Sequence, residues 1–281
     1  MTTVLTAPKV KSIYDLQDEY RTYCRKSDST ALDLSLWLPG LSCIRPIMPG
    51  EFLVIMADTG VGKTAIAQNI AVSARPFDVL LCEMELPGTL CFERFTAMGN
   101  DVTQEAVEQI YKDEESLRVG MLDHIFTCDK SGLKLTDIPI LCESCRLDGN
   151  EIGVVIVDYI GLLDCDRGRN RYERMSAAAE QLKVLAKDLD VVMIATTQIH
   201  RKGEGYQAEV SLHDAKDSGS IENSAGVLLG VWRDEEDSGV LHIKVLKNTK
   251  GQPGRDILAD FDGAKMAIRP QRVDPWPNDI D

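Results

Sequence analysis

Residues Ala57, Asp58, Thr59, Gly60, Val61, Gly62, Lys63 and Thr64, with Ala65 after them, are the types that can hold a triphosphate. They approximate G-x-x-x-x-G-K-[ST], in which backbone N–H groups cradle the phosphates, the lysine reaches the β and γ phosphates, and the hydroxyl takes a place on magnesium. Gly62 stands where backbone and phosphate meet, and Gly60 adds freedom to the turn. The first position departs, carrying Ala57 in place of glycine. That glycine chiefly permits the turn, so alanine serves there if its torsions are ordinary. The expectation is an ATP site over residues 57–65 with Mg2+ on Thr64.

Three other places offer companion chemistry. The run "GVVIVD" ends in Asp158, a carboxylate suited to holding magnesium through water at the end of a buried strand. The run "VLLC" continues as "EMELP", so Glu83 and Glu85 are both candidates to position or deprotonate water. Period-2 alternation puts them on one face, and spacing alone does not choose between them. Gln198, after "VVMIATT", is placed to sense a γ-phosphate and to pass its state to the segment that follows.

These residues need a sheet edge to gather them. Short apolar runs, "FLVIM", "VLLC", "GVVIVD" and "VVMIAT", alternate with helical periods such as "ERMSAAAEQLKVLAKDL". Wholly apolar strands between helices predict an α/β fold: a mostly parallel sheet with helices on both faces. After residue 225 the pattern becomes "GVLLGVW", "VLHIKVLK", "DILADF" and "KMAIRP", which predicts antiparallel strands at the C-terminal end. The last two flank Asp262 and Gly263, a favoured hairpin turn. Ahead of the body, Ile13, Leu16, Tyr20 and Tyr23 form one apolar stripe on a polar helix over residues 12–26, which needs a partner surface. The expected organisation is a linker helix in 1–29, a catalytic domain in 30–269 and an acidic extended tail in 270–281.

The 281-residue chain has a formal charge of −14 and no twenty-residue apolar run, and its first residues do not read as a secretion signal. A cytoplasmic protein without a membrane partner is the expectation. Eight scattered cysteines do not form a disulfide framework, and Cys142 and Cys145 read as two residues one turn apart on a helix. A nucleic-acid partner requires locally positive potential against that net charge. The densest basic stretch is "DRGRNRYER", with Arg167, Arg169, Arg171 and Arg174; its alternative is a solvated approach to a helix, with the arginines paired to Asp164, Asp166 and Glu173.

The order of motifs, "ADTGVGKTAIAQNIA", "EMELPGTLCFER", "VVIVDYIGLL", "RYERMSAAAEQLKVLAKDL", "TTQIHR", "HDAKDSGSIENSAG" and "KNTKGQPG", resembles the motor domain of the DnaB replicative helicases over roughly residues 30–268. These are RecA-like P-loop ATPases, in which the loop often begins with a residue other than glycine. The resemblance implies Glu85 as the catalytic glutamate, nine residues before Arg94, with Asp158 linked to magnesium and Gln198 as the switch. It also implies a homo-hexameric ring with ATP between neighbours, and the stripe of Ile13 to Tyr23 packed on the next subunit. Single-stranded DNA would meet Arg167, Arg169, Arg171, Arg201 and Lys202 in a central channel, and a helicase loader or primase is an implied partner.

Three features depart from the family pattern. With about thirty residues before the motor, the family's N-terminal helical domain is not expected within this sequence. The finger that reaches a neighbour's ATP is normally an arginine two residues after a lysine; here Lys247 is followed by Thr249, leaving Lys247 and Lys250 as candidates. Gly226 stands where an acidic residue is usual. The expected function is an ATP-hydrolysing helicase or translocase on single-stranded DNA. The alternatives are a DNA-binding ATPase of accessory or recombinase type that switches without processive unwinding, and a nucleotide-switched interaction protein.

Overall fold

The computed structural model describes residues 11–199, 209–212, 214, 219–234 and 239–271. In chain order the elements are α1 (Leu16–Thr30), β1 (Phe52–Ala57), α2 (Lys63–Ser73), β2 (Asp78–Glu83), α3 (Gly88–Asn100), α4 (Gln104–Lys112), β3 (Ile125–Cys128), α5 (Asp137–Leu147), β4 (Ile152–Asp158), α6 (Arg171–Leu189), β5 (Val192–Gln198), α7 (Gly219–Ser224), β6 (Val227–Trp232), β7 (Val240–Asn248), β8 (Asp256–Asp262) and β9 (Ala267–Pro270). They build one sheet in the order β3-β2-β4-β5-β1-β6-β7-β8-β9. The pairings from β3 to β6 are parallel, and those from β6 to β9 antiparallel.

Side-chain alternation along each parallel strand feeds two cores. Leu53, Ile55 and Ala57 of β1 join Ile156 and Ile194 beneath α2 and α3, while Phe52, Val54 and Met56 join Val155 and Met193 beneath α6. Because both faces are covered, the strand sequences are continuously apolar. Residues 65–71 of helix α2 are all buried, Gln68 and Asn69 included, which makes it a central strut. The antiparallel extension alternates instead: Leu241, Ile243 and Val245 of β7 are buried, and the residues between them are half-exposed. One face of this extension is therefore wetter.

Helix α6 starts sharply because Asn170 accepts the Glu173 N–H at 2.9 Å, a cap worth about 1 kcal/mol. It stops at Asp190, whose φ of 54° is left-handed.

Two local expectations shift. Helix α1 begins at Leu16, because the Asp15 carboxylate accepts the backbone N–H and the hydroxyl of Ser12 and holds residues 12–15 as a turn. Ile13 precedes the helix and is 86% exposed, and Leu16, Tyr20 and Tyr23 are exposed as well. The β8–β9 connection is a four-residue loop over 263–266, since Asp262 pairs with Ala267. Among the described residues no helix is long and apolar enough to cross a membrane.

Candidate functional site

Parallel strands put all their C-terminal ends at one edge, and β2, β4, β5 and β1 are neighbours there. Glu83 is in register with Asp158, and Ala57 with Gln198. On β2, β4 and β5 the residues two and four places earlier lie in the core under α2, so Glu83, Asp158 and Thr196 share the face that meets this helix.

Between β1 and α2 the chain turns through Gly60 (φ 78°) and Gly62 (φ 124°), conformations that side chains other than hydrogen strain. Ala57 closes β1 within the ladder, paired to Gln198 on one side and Val231 on the other. The turn's demand for positive φ falls on Gly60 and Gly62, and alanine at 57 costs nothing. The first helical bond runs from Ile66 N–H to Gly62 O at 3.0 Å, so the N–H groups of Lys63, Thr64 and Ala65 point forward from the helix start. That arrangement is an anion cradle. Lys63 Nζ donates to the carbonyls of Asp58 at 2.6 Å and Ala57 at 3.2 Å. Burial lowers the pKa of its ammonium, opposed by the carboxylates of Asp158, Asp58 and Glu85. Gln198 donates from Nε2 to Thr59 Oγ1, a direct tie from β5 to the loop.

Glu83 and Glu85 differ sharply. Glu83 ends β2 fully buried; its Oε1 accepts the N–H groups of Glu85 at 3.0 Å and Leu86 at 3.2 Å. Burial, reinforced by Asp158, raises its pKa to about 7. Glu85 lies past the strand end on the exposed turn, so the alternation that equated the two stops at residue 83. Asp158 is buried, its Oδ1 accepts the Thr196 hydroxyl, and its Oδ2 has no hydrogen bond. A buried carboxylate oxygen without a donor is the kind of group a cation satisfies. Thr64, half-buried in the first turn of α2, completes the residue types that fit magnesium.

Sequence reasoning missed two contributors. Thr196 lies two residues before Gln198, and period 2 on β5 could have marked it. Arg233 follows β6, its guanidinium 4.6 Å from the Phe261 ring centroid and one nitrogen 3.6 Å from where a Cβ on Gly62 would stand. This cation–aromatic pair beside the loop joins residues 28 apart, and no local spacing signals it.

The segment from Asp164 to Asn170 follows β4 and thus leaves from the same edge. Arg167, Arg169 and Arg171 are exposed and make no ion pair among the described residues. Asp164 lies 3.9 Å from Lys134, and Glu173 is occupied by the helix cap, accepting the Arg169 N–H at 2.7 Å. Arg201 and Lys202 lie outside the described residues, as does the tail from residue 272.

At the opposite edge a cavity of about 230 Å³ is lined by Arg45, Glu51, Lys183, Lys247, Thr249 and Lys250 among others. Lys247 Nζ donates to Glu222 O at 2.6 Å, and burial lowers its pKa. Glu51 accepts from both Arg45 and Lys250, the latter at 2.9 Å.

Residues 42–268 match the family described as the DnaB-like helicase C-terminal domain. The chain is 29% identical over 238 residues to the replicative DNA helicase DnaB of Haemophilus influenzae, covering 77% of this chain and 50% of that protein. It is 28% identical over 222 residues to a probable plasmid replicative DNA helicase of Chlamydia trachomatis, covering 74% and 48%. The chain thus spans about half the length of the curated relatives it matches. Among solved structures, the ATPase domain of G40P superposes with a TM-score of 0.79 at 21% identity, over 94% of this chain and all of that one. A DnaB-like replicative helicase, described with its interactions with primase, superposes with a TM-score of 0.75 at 21% identity, over 94% and 68%. The fold is RecA-like.

Proposed function

The chain belongs to the DnaB-like helicase C-terminal domain family, and from that premise we propose that it hydrolyses ATP to move along single-stranded DNA as a ring during replication. The observation that carries the reading is the convergence at one sheet edge of the Lys63 cradle, Asp158 and Glu85, with Gln198 bonded to the loop.

In this reading the forward N–H groups and Lys63 bind the β and γ phosphates, Lys63 exchanging the carbonyls of Ala57 and Asp58 for phosphate oxygens. Thr64 and Asp158 hold magnesium, which when bound neutralises charge on the phosphate oxygens. Glu85, exposed and in charge range of Lys63, orients water and takes its proton. Gln198 reports the state of the loop through Thr59 to the segment after β5. Arg233 and Phe261 offer a platform beside the loop on which a nucleotide base can stack.

Two features support a ring. The stripe of α1 is exposed in its own chain, as a helix packed on a neighbour requires. The acids of the loop edge and the cations of the opposite cavity are complementary, which suits head-to-tail contact and lets Lys247 or Lys250 approach a neighbour's nucleotide. Arg167, Arg169, Arg171, Arg201 and Lys202 carry the DNA contact, in a cytoplasmic assembly that a loader or primase would engage. The relatives named as replicative helicases favour unwinding over a switching ATPase. The test is ATPase with and without single-stranded DNA, together with strand separation on a forked duplex. Turnover indifferent to DNA, with no strand separation, would sink the proposal.

A further inference from the structure

Two carboxylates end adjacent parallel strands in register, Glu83 on β2 and Asp158 on β4. Their relative exposures are 0% and 1%. Each has one oxygen satisfied by protein donors: Glu83 Oε1 by the N–H groups of Glu85 and Leu86, Asp158 Oδ1 by the Thr196 hydroxyl. Each has its second oxygen, Oε2 and Oδ2, buried without any partner. Neighbouring strands lie about 4.8 Å apart, so these two acids on one face of the sheet stand side by side. Burying a carboxylate oxygen without a donor is costly, and burying two together adds repulsion. A divalent cation removes both costs at once, because it takes oxygen ligands and offsets both charges.

We propose that Glu83 is the second protein carboxylate of the divalent-cation site, acting with Asp158 either directly or through a bound water. The inference rests on the nucleotide-site reading and deepens it. Glu83 thereby has two jobs on two oxygens: Oε1 fixes the turn that carries Glu85, and Oε2 faces the cation. The protein contributes two negative charges to the cation instead of one, and the water-activating role stays with Glu85.

Glu83→Gln separates the two jobs, since its amide oxygen still accepts the N–H groups of Glu85 and Leu86 while the charge is gone. The test uses the full chain with a non-hydrolysable ATP analogue, titrated with Mn2+ and followed by electron paramagnetic resonance. Analogue affinity without metal is measured separately by calorimetry in EDTA. The expected result is Mn2+ affinity weakened by at least about tenfold, with metal-free analogue affinity unchanged. Glu83→Ser, a second variant read the same way, guards against failure of one replacement to fold. Unchanged Mn2+ affinity in a folded variant overturns the inference while leaving the nucleotide site standing. Loss of turnover in Glu83→Gln with normal Mn2+ affinity also overturns it, making Glu83 the base. If the unmodified protein binds no analogue at all, the nucleotide-site reading falls and this inference falls with it.

Discussion

The Thr249 N–H donates to the Gly226 carbonyl at 3.0 Å, and a Cβ on Gly226 would stand 3.6 Å from Thr249 Oγ1. The two side-chain departures inferred from the resemblance therefore meet in one contact, between the end of β7 and the start of β6. An arginine at 249 would enter a cavity already lined by Arg45, Lys183, Lys247 and Lys250. Alone it adds a like charge; with an acid at 226 it gains a partner. Thr249→Arg is expected to destabilise the fold, and Gly226→Asp added to it to restore stability. A double-mutant cycle in urea should give a favourable coupling of about 1–2 kcal/mol. Additive effects would refute this pairing.

Lys63 and Glu85 should fail differently. Lys63→Ala removes the ammonium from the phosphates in both ground and transition states, and nucleotide affinity should drop by at least about tenfold, or about 1.4 kcal/mol. Glu85→Gln should keep nucleotide and Mn2+ binding and lose turnover by about a hundredfold or more. Calorimetry and steady-state ATPase measure the two quantities, and normal turnover in Glu85→Gln would return the role to Glu83.

The buried Glu83 carboxyl imposes a pH dependence on metal-free stability. Its folded pKa of about 7 lies above the ordinary glutamate value of 4.5, so between these values the folded state binds more protons than the unfolded one. Stability therefore declines as pH rises through that window and is level above it. Glu83→Gln lacks this decline. The variant should match the unmodified chain near pH 4.5 and exceed it above pH 7, by on the order of 2–3 kcal/mol in urea melts without nucleotide. An equal difference at both pH values would contradict the assignment.

The arginine segment predicts a salt effect. Changing Arg167, Arg169 and Arg171 together to alanine should abolish stimulation of ATPase by single-stranded DNA while basal nucleotide binding survives. If each meets one phosphate, the slope of log affinity against log salt should fall by about 2. Fluorescent single strands titrated across a salt series give that slope. An unchanged slope would return these arginines to an ordinary solvated helix approach.

Residues 11–25, which lead into α1 and form its first turns, are exposed, so their removal should cost assembly more than fold. Deleting residues 1–28 should give folded monomers or short oligomers by light scattering, with a melting midpoint near that of the full chain. A chain that aggregates as an unfolded monomer would mean that α1 stabilises its own domain.

What the sequence determined by itself is whatever depends on near neighbours in the chain. Continuous apolar runs announced β1, β2, β4 and β5 because a strand buried on both faces has no polar period. The Gly60–Gly62 turn before α2 follows from positive φ, and the strand-end positions of Asp158 and Gln198 follow from runs that stop at a polar residue. β3 escaped because it is short and half-exposed, with neither a continuous apolar run nor a clean alternation. The motif order singled out Glu85 through its spacing to Arg94, but only the tertiary structure gave the physical difference from Glu83, since burial depends on where β2 ends against β4 and α2, and alternation cannot see that end. It alone joined Gly226 to Thr249 and Arg233 to Phe261, because sheet pairing brings together residues more than twenty positions apart, and such contacts leave no period in the chain to read.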